Sequence, residues 1–218
     1  MRRPAGDHEI SIGLRMAIIG VPLLLVVIVI GIGVATTESD LIDLDGWWNS
    51  YVTGFLPGFR DLSFFMNTVG AGVVGTYIVP LVAAALLLLV ARRPWGAAFF
   101  LAASIVGALT VQLLKGIFSR VRPEEMLVIS DHGSYPSGHT ANAAVIATVA
   151  VILFPRVWVA LAGLAWTGLM AFSRTQVHAH WLSDTMGGII VGIATTLIVA
   201  AVMTVPLTRE REKRRSLG

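Results

Sequence analysis

Three short stretches of the chain carry side chains suited to holding and attacking a phosphate group. They are Lys115 with Arg122-Pro123, then Pro136-Ser137-Gly138-His139, then Ser173-Arg174 followed by His180 and Asp184. Lys115 and Arg122 are seven residues apart, close to two helical turns. If the helix bearing Lys115 continues past the membrane edge, both cations share a face, and Pro123 then discourages further helix. Two such cations suit a phosphate dianion, the Arg holding two oxygens at once. Ser137 reads as the cap of the apolar run that follows it, leaving first-turn N–H groups as an anion site with Gly138 and His139 beside it. His180 and Asp184 are four apart, which on a helix is one face. A carboxylate bonded to one imidazole nitrogen fixes the tautomer and frees the other as nucleophile or base. Arg174 adds a third cation. Each stretch alone also reads blandly, as a positive flank, a capped helix or a polar loop; their coincidence in one chain favours a shared site.

What positions them must be membrane helices. The 218 residues are 56% hydrophobic, with a mean hydropathy of +0.79, which excludes an ordinary soluble domain. Six apolar runs, at 16–36, 69–91, 97–118, 139–154, 157–172 and 184–205, approach the ~20 residues that span a bilayer core as helix. They are continuously apolar and do not alternate, so the expectation is an all-α bundle of six transmembrane helices, one domain over residues 1–218. The first run reads as a retained anchor, being longer than a signal-peptide core. Of the sixteen Lys and Arg residues, eleven fall on one side of this layout, including Arg2, Arg3, Arg92, Arg93, Arg156 and the tail. That bias puts both termini in the cytoplasm and the three stretches on the opposite face. The net charge of +3 calls for no nucleic acid, and the absence of cysteine removes thiol chemistry. Residues 140–172 suit a tight helical hairpin turning near Pro155. Both its helices are slightly short, which sinks the site a few ångströms below the outer surface.

The three stretches together resemble the signature of the type 2 phosphatidic acid phosphatase superfamily, the integral-membrane lipid phosphate phosphatases. That signature is Lys, six residues, Arg-Pro; Pro-Ser-Gly-His; and Ser-Arg, five residues, His, three residues, Asp, matched here at every defining position. The resemblance implies that His180 attacks phosphorus to form a phosphohistidine and that Asp184 holds it. His139 would protonate the leaving oxygen and then deprotonate water. Lys115, Arg122, Arg174, Ser137 and Gly138 would bind the non-bridging oxygens, with no metal and no cofactor. It also implies a substrate that is a membrane lipid phosphate, with a polyprenyl diphosphate (undecaprenyl or decaprenyl) leading. Phosphatidylglycerophosphate, phosphatidic acid and a polyprenyl-phosphoribose phosphate are alternatives. A lipid-phosphate carrier or a phosphotransferase is the reading of another class. The compact layout resembles bacterial members, implying a bacterial inner membrane.

Other features read more plainly. In the outer connection 37–68, Trp47, Trp48, Tyr51 and Phe55 fall at near-helical spacing, as an interfacial helix acting as anchor or lid. His178 is expected to be solvated or to face headgroups. Asp131 and His132 read as plain loop, with headgroup selectivity as the alternative. Glu124 and Glu125 do not form a metal set with any neighbour. Gly188 and Gly192 are expected to let two helices approach closely.

Overall fold

The computed structural model describes residues 5–35, 40–55, 57–70 and 74–216, and every regular element among them is helical. Arg2, Arg3, Thr37 and Glu38, and the side chain of Phe55, lie outside the described residues. In chain order, α1 is Ala5–Ala35, α2 Asp40–Phe55 and α3 Arg60–Gly70. Next comes α4, Val74–Val90, α-helical over Val79–Ala85 and more widely wound at both ends. Then follow α5 Pro94–Phe118, α6 Gly138–Leu153, α7 Val157–Gln176, α8 Leu182–Val202 and α9 Thr204–Arg215.

Four of these helices are long and apolar enough to cross a bilayer: Glu9–Ala35 within α1, α5, α7 and α8. The pair α3 and α4, bent by 52°, is a fifth candidate span. At 16 residues α6 is shorter, about 24 Å at 1.5 Å per residue. The six-run expectation therefore meets four full spans, one bent pair and one short helix. The predicted hairpin is present, with α6 and α7 joined through residues 154–156, but α7 runs four residues past its expected end. It is a full-length span and carries Ser173 and Arg174 in its last turn, so only α6 is short.

Helix α8 lies at the centre, packed on α1, α5 and α6, while α3 packs on α7. Phe99, Phe100, Val149 and Leu153 fill the core at one end; Val27, Val111, Leu114, Tyr135 and Val191 fill it at the other. The close α6–α8 approach rests on the two glycines. A Cβ on Gly188 would stand 2.5 Å from the Ser137 carbonyl, and one on Gly192 would collide with the Ala141 carbonyl. Outward-facing α1 side chains such as Ile18 and Leu25 remain exposed, as lipid-facing residues do.

The basic residues gather where the charge bias put them, at the end away from the three stretches. There Arg93 donates to Leu153 O, Arg211 to Ile152 O and Arg214 to Ala91 O, while Glu210 of α9 accepts from the N–H groups of Trp95 and Gly96. Gly192→Val must push α6 off α8 against backbone. The expected outcome is a loss of about 1–3 kcal/mol or more, read as a lowered unfolding temperature in detergent, whereas Gly168→Ala, with open space at its Cβ, leaves it within error.

Candidate active site

Lys115 sits in the last turn of α5, almost wholly buried, with Nζ 2.8 Å from Asp131 Oδ1 and 3.0 Å from Gly133 O. The helix does not continue to Arg122. It stops at Phe118, Ser119 turns left-handed (φ 43°), and its N–H returns to Lys115 O. Arg122 instead arrives through the loop 119–137. Its Nη2 donates to Asp131 Oδ1 at 2.8 Å and to Gly133 O at 2.8 Å, and its Nη1 donates to Ala179 O. The two cations converge as expected, but by a folded-back loop rather than a shared helix face. Gly133, at φ 72°, makes the turn that offers its carbonyl to both.

Ser137 is the N-cap residue of α6, as expected, but its hydroxyl makes no capping bond and accepts one from Thr140 Oγ1 instead. Its N–H donates to Asp184 O at 2.9 Å, tying the α6 start to α8. Gly138 and His139 occupy the first turn, ahead of the first internal bond from Ala141 N–H to Ser137 O. His139 Nε2 is 3.3 Å from Asn67 O. A carbonyl only accepts, so this nitrogen carries the proton.

His180 and Asp184 do pair, though not along one helix. α8 begins at Leu182, so His180 lies before it while Asp184 is at its third position. There Asp184 Oδ2 accepts the Trp181 N–H at 2.9 Å and caps the helix. His180 Nδ1 is 3.6 Å from that oxygen and 2.8 Å from Ser134 O. The loop carbonyl therefore takes the Nδ1 proton and the carboxylate supplies charge behind it, correcting the expected direct carboxylate bond. Nε2 is left unprotonated, 3.3 Å from Arg122 Nη1. Burial pushes the His180 imidazole down to about 4 against the opposing pull of Asp184, so it is neutral at pH 7.

Lys115, Gly138, His139, His180 and Asp131 line one cavity of about 550 Å³ that descends between α4, α5 and α6. Arg174 is brought near but does not face it. It is fully buried, donating to Asn67 Oδ1 (2.6 Å), Ser63 O (3.1 Å) and Ser173 Oγ.

Several residues that matter were not singled out in the sequence. Arg120 Nη1 donates to Asp184 Oδ1 at 2.6 Å and to Ser183 Oγ, while its Nη2 reaches Asp45 Oδ2 at 2.7 Å. Asp45, on α2, is fully buried and also accepts from the Ser183 N–H and hydroxyl. α2 is thus the expected aromatic helix, with Trp47 and Tyr51 stacked and part-exposed, but its inner face carries a carboxylate into the site. Asp131 is no plain loop residue, since it bridges Lys115 and Arg122. His178 is buried against Asn49, with Nδ1 2.7 Å from Oδ1, and is not solvated. One signal could have flagged Arg120: a cation beside an apolar span requires an anion partner.

A buried lysine facing a cavity with one free imidazole nitrogen and one N–H-bearing imidazole, inside a bundle of spanning helices, defines an integral membrane protein with a polar pocket at one end. Residues 95–206 match the model of the PAP2 superfamily, and the chain belongs to that superfamily. It is 30% identical over 120 residues to a lipid A 1-phosphatase of Rhizobium johnstonii, covering 50% of this chain and 48% of that one. It is 39% identical over 74 residues to a non-specific acid phosphatase of Salmonella typhimurium, covering 34% of this chain and 29% of that one. The matched stretch thus spans about half, or less, of these curated relatives. The fold is similar to a transmembrane PAP2 type phosphatidylglycerolphosphate phosphatase from Bacillus subtilis, with a TM-score of 0.72 at 22% identity, covering 84% of this chain and 95% of that one. Aquifex aeolicus LpxE gives 0.58 at 21%, covering 74% and 93%. At these identities the likeness is one of fold.

Removing Arg120 leaves two buried carboxylates without their shared partner. Arg120→Ala is expected to cost about 3–5 kcal/mol, and the Arg120→Ala/Asp45→Ala double variant less than the sum of the singles. Unfolding midpoints in detergent check both.

Proposed function

We propose that the chain is a membrane lipid phosphatase that removes a terminal phosphate through a phosphohistidine on His180, on the non-cytoplasmic face. The observation that carries this reading is one cavity holding both a free, oriented imidazole nitrogen and a proton-bearing one beside a buried lysine. In the first step His180 Nε2 attacks phosphorus and the bond to the leaving oxygen breaks. That oxygen takes the electron pair and a proton from His139, which enters this step as imidazolium, favoured by the bound phosphate's charge, and leaves it neutral. Ser134 O and Asp184 hold the Nδ1 proton and offset the charge the imidazole gains. In the second step His139 accepts a proton from water, which attacks phosphorus; the P–N bond breaks and its pair returns to His180, releasing phosphate. Lys115, Arg122 and the first-turn amides at Gly138 bind the non-bridging oxygens, the charge in the transition state falling to fixed donors. Arg174 reaches those oxygens once Asn67 yields its Oδ1 bond. These protein cations assign the charge stabilisation without a metal, so activity is expected to persist in chelator.

A polyprenyl diphosphate is the leading substrate, by the motif resemblance and the compact six-run layout. The lipid A 1-phosphatase relatives favour a second reading, a glycolipid 1-phosphate. Phosphate release in EDTA from both lipids, and from phosphatidylglycerophosphate and phosphatidic acid, ranks them. His180→Ala is expected to reduce release to background for every lipid, and His139→Ala to lower kcat by about 10²–10⁴-fold. Release unaffected by His180→Ala contradicts the reading.

The pH dependence has a definite sign. Protonation of His180 removes the attacking lone pair, so kcat/KM falls as pH drops through its depressed value. The acid limb is expected nearer pH 4 than the 6.5 of an ordinary histidine. An acid limb at or above 6.5 contradicts a buried neutral nucleophile.

A further inference from the structure

The two cations of the first stretch point at the same atom. Asp131 Oδ1 is 2.8 Å from both Lys115 Nζ and Arg122 Nη2. The two sides of this contact differ in burial. The Lys115 and Arg122 side chains are 4% and 10% exposed, the Asp131 side chain 54%. The cations have other anchors, Gly133 O for both and Ala179 O for Arg122, so they keep their places without the carboxylate. Besides the two cations, Asp131 has Gln112 as a partner of its carboxylate, and its backbone carbonyl accepts from Arg122 Nε at 3.2 Å. It stands between the fully exposed Ile129 and the Gly133 turn, on a loop that borders the same cavity as His139 and His180. Partial burial alone would raise its carboxyl, but the Lys115 hydrogen bond and the charges of Lys115 and Arg122 outweigh this and hold it below the usual range. It is an anion at working pH.

We infer that Asp131 is a resident counter-ion that the substrate's terminal phosphate displaces from Lys115 and Arg122, and that this exchange selects for doubly charged phosphate groups. The inference rests on the phosphatase reading and adds a specificity determinant to it. Without an anion the two buried cations would face each other uncompensated, so the carboxylate fills the empty cradle. A phosphate cannot share the position, because like charges in contact repel strongly in so dry a site. A phosphodiester headgroup carries one charge and replaces the carboxylate like for like. A terminal phosphate carries up to two and can bind both cations through several oxygens. The bilayer around the protein is made largely of phosphodiester lipids, so this discrimination is useful where the site opens. The returning carboxylate also expels the inorganic phosphate product.

The test uses full-length protein in neutral detergent, comparing wild type with Asp131→Asn and Asp131→Ser. Inhibition constants are measured for inorganic phosphate and for phosphatidylglycerol, a phosphodiester, and phosphate binding is measured directly by calorimetry. Displacement predicts that phosphate binds the variants about tenfold more tightly or better, the worth of one charge-assisted hydrogen bond. It also predicts that phosphatidylglycerol becomes an inhibitor. Equal or weaker phosphate binding in both variants overturns the inference, because it makes Asp131 a support that orients the cations. If wild type releases phosphate from no lipid, the phosphatase reading fails, and the calorimetric comparison still decides the displacement.

Discussion

Asp184 is fully buried at the end of a membrane helix, and a carboxylate there is tolerable only with donors around it. Most of this end of the molecule is arranged to supply them. Arg120 reaches across from the loop after α5, and the Trp181 N–H closes the start of α8. His180 stands behind with its own proton committed to Ser134 O. Arg120 in turn has more N–H donors than Asp184 accepts, and Asp45 of α2 takes the Nη2 donor while also binding Ser183. One buried charge thereby ties together α2, the loop 119–137 and α8.

A second constraint sets the distance between the two histidines. His139 is on α6 and His180 precedes α8, so their relation depends on how closely these helices pack. Gly188 and Gly192 allow backbone to meet backbone, and the Ser137 N–H then reaches Asp184 O. The α6 start, with Gly138 and His139, is thereby fixed to the residue that backs His180. Tyr135, buried in the same loop, donates to Val27 O of α1 and packs edge-on against Phe118, anchoring the segment that carries the Pro-Ser-Gly-His turn.

The sequence made the helical class legible through unbroken apolar runs, and the site through residue types a membrane segment keeps only for a reason. Spacing was less reliable than identity. Lys115 and Arg122 meet, yet nothing in 117–121 announces the left-handed turn at Ser119, since no glycine or proline marks it. His180 and Asp184 are near each other, but a helix start falls between them and the carbonyl of Ser134, 46 residues earlier, takes the bond assigned to the carboxylate. Asp45 and Arg120 are 75 residues apart, and their pairing comes only from packing α2 on α8. Nothing about Asp45, two residues before Trp47, marks it for burial in the sequence, because its burial is a tertiary fact. Arg174 was expected as a third cation of the site, whereas its capture by Asn67 and Ser63, which turns it from the cavity, depends on α3.

The central claim is that His180 carries the phosphoryl group between two half-reactions. Rapid acid-free quenching of wild-type protein turning over a lipid labelled in its terminal phosphate, followed by peptide mass spectrometry, tests it most directly. The account predicts a phosphoryl group on the His180 peptide, absent in His180→Ala and accumulating when His139→Ala slows hydrolysis. Turnover with no phosphoryl group on His180 in either protein, together with inversion of configuration at a chiral terminal phosphate, would contradict it.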